Sequence, residues 1–517
     1  MVKKKPKGKR GKKQQKKRSW RKRQQRKERR KEARKEGNGK NRKTQREGRK
    51  EKPVARIGPN TPYGLCTERL SPFGGALALV KFLDLIGFEE LFEERYVKAK
   101  RQPVLGDYRM VLGLLLLLFS GFQRVGHFVY IQKDSMLRGI LKVSVLPVVT
   151  TFWRYLRSLG IVQAEGMIRL MAALRARVWA LNGYAPKRVS VNADTTAATV
   201  YGQIEGARVC YNPWHRGRKA LRPFTLFVQE TREYLCGHQR RGATLSDKEV
   251  AREFRSIRRY LPACVQKVLV RGDGELISWE SVKACLEENL EFIFGNRRCT
   301  PPFSDKGWYR RGKYEYNECW YQPAGWGQAC RFVAMRIRKN APEEDRQGWL
   351  IKDLAYTYRI FVTNLGRKPH QVIAEYDQRA NVENCIGEAQ REGLLAIPSK
   401  SFQANAAFFQ LVLFSYNLWR WMKLVAGHQM KQEAIQSTGQ APERIPIVDN
   451  TVAVARLKIL YVAAKISTHD NREKVYYSIH ESRAAGMIDF LEYLDCRRKQ
   501  PRPWRSPPTA TLGVAVA

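Results

Sequence analysis

Three carboxylates stand where side-chain chemistry explains them better than solubility does. Asp194 ends the alternating run Val189-Ser190-Val191-Asn192-Ala193-Asp194, and Asp273 follows the apolar run Val268-Leu269-Val270-Arg271. Glu383 closes the stretch Tyr376-Asp377-Gln378-Arg379-Ala380-Asn381-Val382-Glu383. A lone aspartate at a strand end is most often a turn residue, so each carries little by itself. As a set, on two strand ends and one helix, they offer the hard oxygen ligands that Mg²⁺ or Mn²⁺ prefers. Two such ions about 3.5–4 Å apart can activate a water or a 3′-hydroxyl and stabilise the leaving oxygen of a phosphodiester.

The elements around these residues decide whether they can meet. Val189–Asp194, Phe224–Gln229 and Tyr234–Cys236 read as three strands, Lys248–Leu261 as an amphipathic helix and Val268–Arg271 as a fourth strand. Ile277–Asn289 then reads as a helix and Glu291–Gly295 as a fifth strand. That order is the order of a ribonuclease-H-like α/β core, with residues 185–296 as its first part. In such a sheet the first and fourth strands are neighbours, so Asp194 and Asp273 meet despite their separation in sequence. Residues 297–356, rich in aromatics and broken by Gly and Pro, read as a β-rich insertion subdomain. Residues 357–430 supply the last part of the core: the strand Tyr358–Thr363 and two helices, over 371–393 and 402–425. At about 100° per residue, Tyr376, Arg379, Glu383 and Gln390 share one face of the first helix, whereas Glu388 points well away.

Residues 58–184 read as an all-helical region, with helices over Ala76–Ile86, Met110–Phe122 and Thr150–Leu159. In the last of these, Thr150 or Thr151 can cap, and Phe152, Tyr155, Leu156 and Leu159 make a buried stripe. Arg154 and Arg157 then face away from the core, as in a helix docked on DNA or in one whose arginines merely solvate it. Residues 431–498 form a C-terminal region, and 499–517, with four prolines, a disordered tail.

Charge narrows the partner. The 517 residues hold 96 Lys+Arg against 48 Asp+Glu, a formal net charge of +48. Residues 1–56 alone carry 29 Lys/Arg and 5 Glu, so half of the excess sits in a low-complexity segment. Residues 1–57 are therefore expected to be a disordered basic arm that binds phosphates without regard to sequence. The rest keeps 67 basic against 43 acidic residues and is basic in its own right. Such a balance favours nucleic acid over anionic membrane. The longest apolar run, Met110 to Phe122, is interrupted by Gly113 and Ser120 and is shorter than the roughly 20 residues a membrane span requires. No secretory signal is legible, and ten cysteines without a Cys-x-x-Cys pair suit reduced thiols. A cytoplasmic, nucleoid-associated protein is the expectation.

The motifs resemble a known family. Asp194-Thr195-Thr196, Tyr201-Gly202, Glu205-Gly206-Ala207, Gly217 and Pro223 are similar to the first-Asp region of DDE transposases of the insertion-sequence 1380 family. Val270-Arg271-Gly272-Asp273-Gly274 resembles its second-Asp motif, and Tyr376-x-x-Arg379-x-x-x-Glu383 the Tyr/Arg/Glu signature of the wider insertion-sequence group. Phe402-Gln403-Ala404-Asn405-Ala406 and Tyr416-Asn417-Leu418 continue it downstream, and Gly74-Gly75, Asp134 and Leu146–Gly160 upstream. The likeness runs from about residue 70 to 480. It implies a ribonuclease-H-like core with an insertion before the Glu-bearing helix and a helical DNA-binding region in front. It also implies two Mg²⁺ (or Mn²⁺) ions on Asp194, Asp273 and Glu383, with Tyr376 and Arg379 near the phosphate or terminal bases. Two positions depart from the pattern: Gln390 stands where a lysine is usual, and Gly274-Glu275 where a serine and an apolar residue are common.

Other residues fit the same partner. Arg216 and Lys219, beside His215, read as a phosphate-contacting loop, and the insertion interleaves Trp308, Trp320 and Trp326 with arginines and lysines. Most of those aromatics should be packing, with one or two, Trp320 among them, stacking on unpaired bases. The resemblance implies an enzyme that binds terminal inverted repeats, cleaves at element ends and joins 3′-hydroxyls to target DNA. It should work as a homo-oligomer holding paired ends. The alternatives are a catalytically decayed or repurposed DNA-binding protein of this fold and a metal-dependent nuclease without strand transfer.

Overall fold

The computed structural model describes residues 57–99, 101–212, 215–338, 356–470 and 472–505. The expected basic arm lies outside the described residues apart from Ile57, as do 339–355 of the expected insertion and 506–517 of the expected tail. The chain divides into two units, Met1–Thr67 and Glu68–Ala517. In the first, the described residues include a turn in which the Thr61 N–H donates to Gly58 O at 3.0 Å. The second carries all the secondary structure of the described residues.

That unit opens with a short strand, β1 (Arg69–Ser71), and continues as α1 (Ala76–Leu85), α2 (Phe88–Arg95), α3 (Gly106–Phe119), α4 (Ser135–Leu141), α5 (Val149–Ser158) and α6 (Ile161–Leu181). From Met110 to Phe119 every residue of α3 is buried, as suits a helix apolar on all sides. α5 buries Phe152, Tyr155 and Leu156, and Leu159 is buried just beyond its end. Its cap is not the expected one: the helix starts at Val149, which puts both threonines inside the first turn, and the N-cap Val148 has no side chain to offer.

Next come β2 (Arg188–Thr195), β3 (Ala198–Thr199), β4 (Arg208–Val209), β5 (Lys219–Leu221), β6 (Phe224–Val228) and β7 (Glu233–His238). They are followed by α7 (Asp247–Ser256), β8 (Lys267–Gly272), α8 (Trp279–Glu287), β9 (Glu291–Gly295), β10 (Tyr309–Arg311), β11 (Tyr314–Tyr321), β12 (Cys330–Arg338) and β13 (Tyr356–Thr363). Among the described residues one nine-stranded sheet runs β10-β11-β12-β13-β9-β8-β2-β6-β7. β2 pairs antiparallel with β6 and parallel with β8, and β8 pairs parallel with β9. The segment expected as an insertion subdomain does not stand apart, because β13 pairs antiparallel with β9 and carries β12, β11 and β10 onto the same sheet. A second small sheet, β3-β5-β4, sits between β2 and β6 in the chain. Lys219, expected in a loop, opens its middle strand.

The remainder holds α9 (Pro369–Asp377), α10 (Ala380–Arg391), α11 (Phe402–Thr438), β14 (Ala464–His469), β15 (Arg472–Tyr477) and α12 (Ala484–Lys499). The single helix expected over 371–393 is broken at Gln378-Arg379. There the Arg379 N–H donates to Tyr376 O and the Val382 N–H to Arg379 O, both at 2.8 Å, three-residue bonds that tighten the chain out of the α register. α11 is longer than expected: 37 residues, buried without interruption from Ala404 to Lys423 and, apart from the half-buried Ala434, exposed from Met430 onward. α3, α5, α6 and β7 pack around it. The front region is not all-helical, since β1 pairs antiparallel with β14, Arg69 opposite Ile466, tying the two ends of this unit together. The start of the expected tail is docked: Arg505 pairs with Glu90 of α2 at 3.0 Å and the Arg177 guanidinium lies 5.1 Å over the Trp504 ring. No helix of the described residues is long and apolar enough to cross a membrane, and all ten cysteines are free thiols.

The helices and the sheet are joined by a buried ion pair. Glu233, the first residue of β7, accepts from Arg175 Nε at 3.0 Å, Trp179 Nε1 at 2.8 Å, Trp421 Nε1 at 2.5 Å and Thr231 Oγ1 at 2.7 Å. Arg175 spends its remaining nitrogens on Tyr260 O at 2.8 Å and Tyr234 O at 2.6 Å. Both charged side chains are 0% exposed. The Asn417 side chain pairs with both backbone groups of Tyr234, at 2.8 Å each, where β7 slips its register against β6. A fully desolvated pair stands only when every lone pair and proton is used, and losing one partner costs about 3–5 kcal/mol. Glu233→Gln keeps the shape and removes the charge. Chemical denaturation should show it destabilised by about that amount, and a loss below about 1 kcal/mol, the range of an exposed pair, would contradict this role for Glu233.

Candidate active site

β2 and β8 run side by side in the same direction, in a register that pairs Arg188 with Lys267 and Asn192 with Arg271. Two residues further on lie Asp194, still in β2, and Asp273, just past β8. Both emerge at the carboxyl ends of parallel strands, where open α/β sheets bind their ligands. The Thr195 N–H donates to Asp194 Oδ1 at 2.8 Å and the Glu275 N–H to Asp273 Oδ1 at 3.1 Å. Burial raises the Asp194 carboxyl to about 6; the Arg379 guanidinium opposes the shift, and the charges of Asp273 and Glu383 add to it.

Arg379 arrives through the break between α9 and α10. Its Nη2 lies 3.2 Å from Asp194 Oδ2 and 3.5 Å from Ala193 O, and its guanidinium is nearly buried. Its Nε is buried with no hydrogen-bond partner, so the group keeps one donor beyond its ion pair. Tyr376 packs on Phe361, ring centroids 4.5 Å apart, and burial pushes its hydroxyl up. Gln390 is turned to the same place from the far end of α10, where Nε2 donates to Thr196 Oγ1 at 3.0 Å. Glu383 stands in the first turn of α10, exposed to solvent. Because of the break, Tyr376 and Arg379 do not share a continuous helix face with Glu383 and Gln390.

The structure thus brings Asp194, Asp273, Arg379 and Gln390 to the end of the β2–β8 pair, while Glu383 is set at its rim. Among the described residues no group of three or more His, Cys, Asp or Glu side chains is arranged to hold a metal ion. The donor chemistry still fits a hard divalent cation: two carboxylates, each oriented by a backbone N–H, with a third close enough for its charge to be felt at Asp194.

Gly274 has a local cause, for a Cβ there would lie 2.7 Å from Arg297 Cγ. Arg271, fully buried in β8, has a role that its place in the strand and the motif does not reveal. It donates to Asn192 Oδ1 at 2.9 Å and to Glu375 O at 2.5 Å, so one side chain joins β2, β8 and the last turn of α9. Burial lowers its guanidinium to about 10. The signal that could have found it is an arginine inside an apolar strand.

The remaining candidates lie outside this centre. Arg154 and Arg157 are exposed on α5 and line a groove of about 1170 Å³ together with Lys98, Arg101 and Gln403. A second groove runs from the same two arginines to Lys400, just before α11. Arg216 and Lys219 are exposed at the small sheet, near Tyr201 and Tyr211, which are 70% and 75% exposed. On β11, Trp320 is 72% exposed, whereas Trp308 lies under Arg336 at 4.0 Å and Trp326 packs on Trp279 and Phe332.

Comparison with known proteins gives the class. The family model described as "Transposase DDE domain group 1" matches residues 67–495. The chain belongs to this family of DDE transposases. A search of curated proteins finds no match. Among solved structures, one described as a piggyBac transposase synaptic complex with hairpin DNA aligns at 9% identity, covering 73% of this chain and 79% of that one, with a TM-score of 0.36.

Arg271→Leu would leave Asn192 Oδ1 and Glu375 O without a donor, at about 1–3 kcal/mol for each orphaned group. Hydrogen exchange should then speed up at least about tenfold over residues 369–377 and stay unchanged in α6. Unchanged protection of α9 would show that Arg271 does not hold it.

Proposed function

We propose that the chain is a DNA transposase of the insertion-sequence 1380 type that binds terminal inverted repeats, cleaves at the element ends and transfers 3′-hydroxyl ends to target DNA. The observation that carries this reading is the parallel register that sets Asp194 beside Asp273, in a chain that belongs to the DDE transposase family. In this reading residues 185–296 and 357–430 form a ribonuclease-H-like core, and residues 58–184 a DNA-binding region. Asp194, Asp273 and Glu383 would hold two Mg²⁺ or Mn²⁺ ions, which when bound supply activation of the attacking oxygen and charge stabilisation of the leaving one.

The chain's own side chains do the rest. The Thr195 and Glu275 N–H groups keep the two aspartates turned to a common side. Arg379 can offer its charge to a phosphate while it stays against Asp194, with Tyr376 close enough to feel that charge. Gln390 supports the Asp194-Thr195-Thr196 turn through Thr196 and lends no charge. Arg154 and Arg157 take the backbone of the DNA end away from the cut, with Arg216 and Lys219 nearer to it, and Trp320 offers a face for an unpaired base. Two ends held together require at least two copies of the chain. The bound Gln390 and the rim position of Glu383 also support a second reading, a protein that binds ends without cutting them.

The test is Mg²⁺-dependent cleavage of the element's own flanking repeats. Asp194→Asn, Asp273→Asn and Glu383→Gln should each abolish cleavage and leave repeat binding intact, and a pre-cleaved end with a free 3′-hydroxyl should be joined to target DNA. Hydrolysis without joining would indicate a nuclease. A wild-type chain that binds repeats and never cuts would establish the second reading.

A further inference from the structure

The two residues whose N–H groups orient the aspartates are themselves cross-linked. Thr195 Oγ1 donates to Glu275 Oε2 at 3.1 Å. Arg222 lies across both: its Nη2 is 3.0 Å from Thr195 Oγ1 and 2.9 Å from Glu275 Oε2, and its Nη1 is 2.8 Å from Glu275 Oε1. Arg222 comes from the two-residue connection between β5 and β6, and its side chain is 7% exposed against 29% for Glu275. Its own backbone is fixed, since the Arg222 N–H donates to Arg240 O at 3.0 Å and the Thr196 N–H to Pro223 O at 3.1 Å. Glu275 is held from behind as well, for Arg298 Nη2 donates to its carbonyl at 2.9 Å.

We infer that Thr195, Glu275 and Arg222 form a bracket that sets the spacing and orientation of Asp194 and Asp273, with Glu275 as a positioning residue and not a metal ligand. The inference rests on the reading above, in which the two aspartates hold divalent ions. Both Glu275 oxygens are engaged by one guanidinium fork, a planar two-point grip that a lysine could not reproduce. The Glu275 N–H goes to Asp273 and the Thr195 N–H to Asp194, so a shift of the Thr195–Glu275 link moves both carboxylates together. A glutamate at this position therefore has a partner and a purpose, which an apolar residue could not supply.

Outer partners of metal ligands typically contribute about 10–100-fold in metal affinity. Mn²⁺ binding to the full chain, followed by electron paramagnetic resonance, and the Mn²⁺ concentration that half-saturates end cleavage are the two readouts. Glu275→Gln and Arg222→Met should each weaken Mn²⁺ by about tenfold or more, and the double variant should be no weaker than the weaker single one. Thr195→Val, nearly the same shape, should shift both readouts in the same direction and serves if Arg222→Met does not fold. Wild-type Mn²⁺ binding in these variants, with binding lost in Asp194→Asn, would overturn the bracket and leave the metal assignment standing. Additive losses in the double variant would also overturn it, because they would mean that Arg222 and Glu275 act separately. Mn²⁺ binding retained in Asp194→Asn would overturn the metal assignment and the bracket with it.

Discussion

The register of one parallel strand pair is the constraint on which the candidate site depends. A slip of one residue between β2 and β8 would turn every side chain of one strand to the opposite face and part Asp194 from Asp273. Apolar pairing does not prevent such a slip by itself, because Val189, Val191, Val268 and Val270 would pack acceptably in several offsets. Polar side chains do prevent it. Asn192 bonds Arg271 across the pair and Gln229 on the other side, at 2.9 and 2.6 Å, and these bonds can form in one register only. Buried polar groups of this kind contribute specificity because the misregistered alternatives leave them unpaired.

The same logic operates one layer further out. The helical front region and the sheet share one apolar cluster, and a buried ion pair fixes where they meet. The Glu233 carboxylate gathers Arg175 and Trp179 from α6 and Trp421 from α11 onto the first residue of β7. α11 thereby becomes a shared spine, and the arginine-lined groove on α5 is held at a fixed place relative to the strands. In the proposed function that rigidity matters, since DNA held by α5 would have to present its scissile phosphate to the carboxylates carried by β2 and β8.

How much of this is legible in the sequence follows from the range of the interactions. The major strands and the helices between them are legible because each carries its own periodicity, and Val268–Arg271 and Glu291–Gly295 could hardly be anything else. The small sheet is not, because strands of two or three residues have no period to read. The break at Gln378-Arg379 is not, because the carboxylate that Arg379 meets there, Asp194, lies far away in sequence. The length of α11 is legible only while its residues are apolar, and it continues past them. Arg222, Glu275 and Thr195 are the clearest case. Glu275 stands out only as a departure from the family pattern and Arg222 not at all, and the partners lie 27 to 80 residues off, so only the folded chain shows that the three belong together.

The proposed function requires a divalent metal site at the end of the β2–β8 pair. The most direct measurement is anomalous diffraction at the manganese edge from crystals of the full chain grown with a DNA end and Mn²⁺. Anomalous density is expected against the carboxylates of both Asp194 and Asp273. Crystals with the DNA end bound and manganese density only elsewhere would contradict it.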